Sequence, residues 1–247
     1  MAIPVFIFFI SYGCQNSGTD EQQTQLNYSG EEIFRGIFFS QGELPNQIEA
    51  LKEEHEKTEN IAKTNKDLKD FQLDFSKEII KSINTLDPTF FTQFKKQMES
   101  KNYYAIQLAM TNATKMIKAG GYNSKYSGFF KLADELETKK VDLSGNEFKN
   151  IDMNSPEGMT KFKSLIKTKY DIDVDDDDYK IACAPNLGFC YVYAVAAVVS
   201  IAAVAYSGVA VVAYAVYAKV EFWGGVTNHD AIGNVLIEEL ALKLGSS

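Results

Sequence analysis

Histidine occurs only twice in the 247 residues, at His55 and His229. No metal-ligand spacing, nucleophile elbow or phosphate-cradling loop accompanies either one, so both read as polar surface groups and an enzyme is the weakest functional class. No cofactor or metal site is called for. Lysine and arginine total 25 against 33 aspartates and glutamates, a formal net charge of −8, and they are scattered along the chain. A nucleic-acid partner is thereby set aside, because phosphate binding needs clustered basic side chains. Strand signals are sparse before the Val-rich stretch near the end, which argues against a sheet-dominated first half. The three cysteines, Cys14, Cys183 and Cys190, are an odd number, which points to a free thiol or an unusual partner for one of them.

What is present is segmented. The apolar share of 45% is ordinary, but much of it sits in two blocks, residues 2–10 and 187–218. Ala2 to Ile10, followed by Ser11, Tyr12, Gly13, Cys14 and a polar run, has the layout of an export signal. Nine residues are too few to cross a hydrocarbon core of roughly 30 Å as a helix, so residues 1–13 read as a removed signal peptide and 14–28 as a polar tether. Gly13 directly before Cys14 resembles the end of a bacterial lipoprotein signal, whose cysteine is lipidated after cleavage. Ser11 stands where that pattern prefers Leu, and no Lys or Arg precedes the apolar block. A lipidated Cys14 and an ordinary signal peptide therefore both stay open. Lipidation of Cys14 would leave Cys183 and Cys190 to pair in an oxidising extracytoplasmic compartment. Closing so short a loop is worth roughly 2 to 2.5 kcal/mol in the chain-entropy picture, enough to fix a local shape but not to hold a domain together.

Residues 29–170 carry helix-period apolar patterning and read as one mainly helical domain with a modest core. Ser29 as N-cap with Glu32 three residues on makes a capping box, and Glu31 and Glu32 complement the positive end of the helix dipole. Ile33, Phe34, Ile37 and Phe38 then fall on one side. Gly42 is placed to end the helix in a left-handed conformation, and Pro45 suits the first turn of the next. From Asn46 to Asn84, Ile48, Leu51, Ile61, Leu68, Phe71, Phe75, Ile79 and Ile83 fall at intervals near three and four and mark an amphipathic helical region. Asp87 and Pro88 open a further helix that carries Phe90, Phe91, Phe94 and Met98 and continues through Tyr104, Ile106, Leu108, Met110, Met116 and Ile117 to a stop at Gly120 and Gly121. Residues 128–138 and 156–169 give two more short helical patterns.

Residues 171–180 form an acidic run. It fails as a calcium loop, since counting from Asp171 puts Asp176 where an EF-hand needs Gly and Ala182 where it needs Glu. It reads as a solvated, self-repelling linker within reach of proteases. Beyond it, the 38 residues between Lys180 and Lys219 hold no formal charge, against the roughly 20 apolar residues that a transmembrane helix requires. In lipid, an isolated segment such as Tyr191 to Ala218 satisfies its backbone only as a helix. Tyr191, Tyr193, Tyr214 and Tyr217 lie near its two ends, as interfacial anchors do. Tyr206, Ser207 and Gly208 lie at the middle, where a helix of 28 residues, roughly 42 Å long, would tilt, protrude or bend. Tyr193, Ser200, Ser207 and Tyr214 recur every seven residues as one hydroxyl stripe. That stripe fits either close packing between membrane helices or self-association around a leak for ions or protons. The segment reads as a long membrane-active helix or as a helical hairpin bent at Ser207 and Gly208.

The stretch "YSGEEIFRGIFFSQGELPNQI", beginning at Tyr28, resembles the N-terminal signature of the sporulation-delaying protein C family of bacterial peptide toxins. The residues that carry it are Tyr28, Ser29, Gly30, Glu31, Glu32, Phe34, Arg35, Gly36, Phe38, Phe39 and Gly42. Cys183 and Cys190, with six residues between them, open the hydrophobic run as the cysteine pair opens that family's toxin. The resemblance implies an exported precursor, signal cleavage, and two further cuts freeing a disulfide-looped peptide near residues 181–223. It implies insertion into the membrane lipid of neighbouring cells and collapse of their proton-motive force. It also implies membrane-bound maturation proteins, an immunity protein, and a tail, 224–247, that is discarded; "VLIEELALKL" within that tail reads as a small amphipathic helix. The signature itself fits either a surface for the processing machinery or simple pro-domain core. The rival reading is an uncleaved surface lipoprotein or single-pass membrane protein whose helical domain binds a partner. Lys180 and Lys219 flank the run evenly, so charge gives no orientation.

Overall fold

The computed structural model describes residues 27–64, 66–141, 146–151, 156–174 and 230–245, and among these every regular element is a helix. In chain order they are α1 (Gly30–Phe39), α2 (Leu44–Gln47), α3 (Glu49–Thr64), α4 (Lys66–Leu86), α5 (Phe90–Met98), α6 (Tyr103–Tyr122), α7 (Ser127–Thr138), α8 (Asn146–Lys149), α9 (Pro156–Tyr170) and α10 (Asp230–Leu244). The described residues are mainly helical, as their periodicity predicts. The hydrophobic helix or hairpin and its cysteine loop lie outside the described residues.

α1 begins as its sequence dictates. The Glu32 N–H donates to Ser29 Oγ at 3.2 Å while the Ser29 N–H donates to Glu32 Oε2 at 2.7 Å, closing the capping box and satisfying two otherwise free donors. Its end comes earlier than the sequence predicts. Ser40, at φ 56, is the left-handed C-cap, and Gly42, at φ +82, makes the turn into α2 two residues later. Pro45 sits in the first turn of α2, where its missing N–H costs nothing. The amphipathic region 46–84 divides into α2, α3 and α4, broken first at Ile48, whose backbone is extended (φ −112, ψ 111).

Asp87 accepts from the N–H and hydroxyl of Thr89, at 2.9 and 2.7 Å, just ahead of α5. The expected continuous stretch from Phe90 onward is interrupted at Lys101, which takes a left-handed φ of 54, and α6 restarts under an Asn102 side-chain cap on the Ala105 N–H at 3.1 Å. Gly120 and Gly121 do not stop α6, which runs on to Tyr122. Both are buried at close approaches: a Cβ on Gly120 would lie 2.9 Å from Ile83 Cγ1 of α4, and one on Gly121 would overlap the Phe130 ring of α7. The helix penalty of about 1 kcal/mol per glycine is accepted because only a bare backbone fits there.

The core joins α1 to α5, α4 to α6 and α6 to α7, and one apolar cluster runs through them from Ile33 to Leu244. Ile79, Ile83, Met110, Ala113 and Ile117 close the α4 and α6 interface with no exposure. α9 ends at Tyr170, Asp171 after it is left-handed at φ 54, and the Lys139 ammonium donates to the carbonyls of Tyr170 and Asp171, both at 2.9 Å. Ile172 and Val174 are buried, and Asp173 pairs with Lys167 at 2.5 Å. The acidic linker expected from Asp171 is therefore attached to the domain through Val174. Apolar side chains alternate there with carboxylates, so one side packs while the other meets water or lysine.

Far along the sequence, α10 returns to the same core and packs against α3, α5 and α6. Leu236, Ile237, Leu240, Ala241 and Leu244 are buried, on the face that spacings of three and four place together. Glu239 Oε2 accepts the Ala50 N–H at 2.9 Å. A carboxylate of the tail thereby serves one of the unsatisfied donors in the first turn of α3.

Candidate functional site: the signature helix and the flanks of the hydrophobic segment

The signature residues fold as the hub of the aromatic core. Phe34 has no exposure, and its ring centroid lies 4.8 Å from Phe38, 5.9 Å from Phe39, and 5.8, 5.2 and 5.6 Å from Phe90, Phe91 and Phe94 of α5. The three α5 rings meet it edge to face, the arrangement that the ring quadrupole favours. Gly30 and Gly36 make this approach possible: a Cβ on Gly30 would overlap the Phe91 carbonyl, and one on Gly36 would lie 2.9 Å from Leu44 Cβ. Phe39 reaches the α4 ring of Phe75 at 6.2 Å.

The polar members of the signature tie the same helix to its neighbours. Arg35 Nε donates to Glu31 Oε1 at 2.9 Å, and its Nη1 donates to Gln41 Oε1 and Ser76 Oγ at 3.3 and 3.4 Å. Lys95 of α5 donates to the Tyr28 carbonyl at 2.6 Å. The hydrogen bonds from the backbone and side chain of Ser29 hold the Glu32 carboxyl below its ordinary value.

His55 departs from expectation. It is buried rather than on the surface, with Nδ1 2.9 Å from the Ser40 carbonyl and 3.2 Å from the Ser40 hydroxyl. This contact secures the left-handed cap of α1, which explains why α1 stops at Ser40 and not at Gly42. The spacing Ile48, Leu51, His55, Thr58 and Ala62, all buried, places His55 on the inner stripe of α3, a signal that the residue's polarity disguises. Beside it lies a cleft of about 500 Å³ lined by polar residues including Glu43, Glu56, Glu59 and Lys63. Among the described residues no group of three or more His, Cys, Asp and Glu side chains is placed to hold a metal ion. His229 lies outside the described residues.

Sequence reasoning missed a second polar anchor. Tyr126, nearly inaccessible, donates its hydroxyl to the Asp74 carboxylate, which also receives Lys125 Nζ at 2.5 Å. Burial would raise the pKa of Asp74, but hydrogen bonds from Lys125 and Tyr126 outweigh it and keep the carboxyl below its usual value. Burial, with the same carboxylate, pushes the Tyr126 phenol well up. Tyr122 donates to Asp134 at 2.5 Å and is pushed up to about 12 by burial and by that carboxylate. The partner of Tyr126 lies 52 positions away, so no local pattern announces it.

Both flanks of the hydrophobic segment are built into this body. Ile172 and Val174 on one side, and Leu236, Leu240 and Leu244 on the other, belong to one apolar cluster. Cys14, Cys183, Cys190, Tyr191, Tyr193, Ser200, Tyr206, Ser207, Gly208, Tyr214 and Tyr217 all lie outside the described residues. Among the described residues no helix is long and apolar enough to cross a membrane.

The family model for sporulation delaying protein family toxins matches residues 25–244, a span that runs from the signature helix through the hydrophobic segment to α10. This chain belongs to that toxin family. Over 97 residues the chain is 31% identical to the uncharacterized protein YitM of Bacillus subtilis (strain 168), a match covering 39% of the chain and 46% of that protein. It thus spans less than half the length of that relative. No solved structure matches it.

Proposed function

We propose that this chain is the exported precursor of a hydrophobic antimicrobial peptide, excised near residues 181–223, that inserts into the membranes of neighbouring bacteria and collapses their proton-motive force. Family membership supports a toxin. The segment supports the membrane as its target, because the 43 residues 181–223 carry only Lys219 and Glu221 as formal charges and have little to hold them in water. The observation that carries the reading is the shared anchoring of its flanks. Val174 and α10 pack into one core, and a single crossing of a bilayer between them would put them on opposite faces. That arrangement favours a peptide that meets the membrane after excision over an uncleaved single-pass anchor.

In this reading Cys183 and Cys190 close the peptide's loop, and its tyrosines anchor at the lipid interface. Membrane-bound maturation proteins make the cuts, an immunity protein guards the producer, and a lipidated Cys14 would hold the precursor at the cell surface. The test is a synthetic, oxidised 181–223 peptide added to energised bacterial vesicles carrying a potential-sensitive dye. Depolarisation is the expected result, and Ser200→Val with Ser207→Val should abolish it without preventing insertion if the hydroxyl stripe lines a leak. A peptide that stays dissolved while the vesicles stay polarised ends the proposal.

A further inference from the structure

The surface offered by α3, α5 and α6 is a binding site for a helix, and in this chain α10 occupies it. We infer that α10 stays there after the chain is cut between Val174 and Asp230, so that the processed remainder is a two-chain complex. It follows that a peptide cut only on its N-terminal side remains held to the body through α10. This second step rests on the toxin reading; the first does not.

The contacts have the quality of an interface rather than of a trailing end. Leu240 and Leu244 have no exposure, and Leu236, Ile237 and Ala241 are buried beside them. Glu239 adds a directional contact to the Ala50 N–H at 2.9 Å, at the positive end of α3. At its far end Gly245 lies against the exposed side chain of Lys101. The outward face is distinct, since Val235 is 49% and Leu242 54% exposed. None of these contacts depends on the covalent connection through residues 175–229. Although Val235 and Leu242 make its outer face partly apolar too, so that it is not the amphipathic helix the sequence suggests, α10 seats a helix face in an apolar groove, a mode of recognition that works equally between separate chains.

The experiment uses the full chain with two different site-specific protease sites, one placed within 175–180 and one within 224–229. After both cuts, native size-exclusion chromatography with mass spectrometry follows the fragment that contains α10. Co-elution with the body is expected, and elution of that fragment alone overturns the proposal. Leu240→Asp should weaken retention by roughly 100-fold or more, since it buries a charge at an unexposed position, while Leu242→Asp on the outer face should leave retention intact. The unsubstituted protein carries the primary result, so a Leu240→Asp variant that misfolds does not blunt the test. After the N-terminal cut alone, the 175–247 fragment should stay with the body in the parent and leave it in Leu240→Asp. Equal retention in both would show that something other than α10 holds the peptide. Failure of the synthetic peptide to depolarise vesicles would leave the two-cut result standing, which separates this inference from the toxin reading.

Discussion

Gly30→Ala sets two effects of opposite sign against each other in the first turn of α1. In an isolated helix the substitution is favourable by up to about 1 kcal/mol, because alanine loses less backbone freedom. In the folded protein the added methyl would overlap the Phe91 carbonyl and lie 3.2 Å from Lys95 Cβ. The obstacle is backbone, and that backbone is fixed by Phe90, Phe91 and Phe94 packing on Phe34. Relief requires α1 and α5 to part. Overpacking of this kind costs about 1–3 kcal/mol, and loosened edge-to-face pairs add a fraction of the about 0.5–1.5 kcal/mol that each contributes. After the propensity gain is subtracted, a net loss of about 1–3 kcal/mol remains, which for a chain of this size lowers Tm by roughly 2–4 °C per kcal/mol. Thermal and urea unfolding of the full chain, followed by far-ultraviolet circular dichroism, measures the loss. The same substitution in a 27–42 peptide should raise its helicity. A folded protein left unchanged or stabilised by Gly30→Ala refutes the close approach of α1 to α5.

Phe34→Ala removes a ring with five aromatic neighbours and no exposure, and should cost about 3–5 kcal/mol in urea unfolding, beyond any other single residue of α1. The tyrosine and carboxylate pairs set a pH dependence. Tyr122, raised to about 12, and Tyr126, raised further, contribute stability that is fully present below the ordinary tyrosine value of about 10 and is lost as pH rises beyond it. Asp74 has the opposite sign: its lowered pKa contributes stability above the ordinary aspartate value of about 4, lost as pH falls below it. Tyr126→Phe should flatten part of the alkaline decline in Tm, and an unchanged profile would remove that pair from the account.

The parts of the fold legible in the sequence are those fixed by local chemistry. Ser29 and Glu32 announce their capping box because both partners lie within one turn, and Pro45 announces its helix by its own φ. The helical periods around Phe34, Ile79 and Phe94 point to the core because burial repeats every three to four residues. What escaped depends on a distant partner. Ser40 caps α1 because His55 reaches it from α3, and Gly120 and Gly121 stay helical because Ile83 and Phe130 press against them. Ile172 and Val174 join the core because Lys139 and Lys167 gather the carbonyls and carboxylate around them. The same limit holds for the site. The uncharged run and its cysteines are plain in the sequence, whereas the docking of α10 is not, since its groove is assembled from α3, α5 and α6.

That docking changes how the segment between the flanks must be understood. A chain with free ends on either side of an apolar run can cross a bilayer once and settle there. A chain whose flanks share one apolar core cannot do so without pulling α10 away from α3, α5 and α6 and exposing Leu236, Ile237, Leu240 and Leu244 to water. Burying a Leu or Ile side chain is worth about 1.5–3 kcal/mol, so parting these four contacts opposes a single crossing by several kcal/mol. A cut on either side of the segment removes the conflict at once, because one flank is then free to follow the peptide or to be left behind. The folded body therefore opposes a single crossing by the uncut chain, whereas a hairpin that returned both flanks to one face would leave α10 in place.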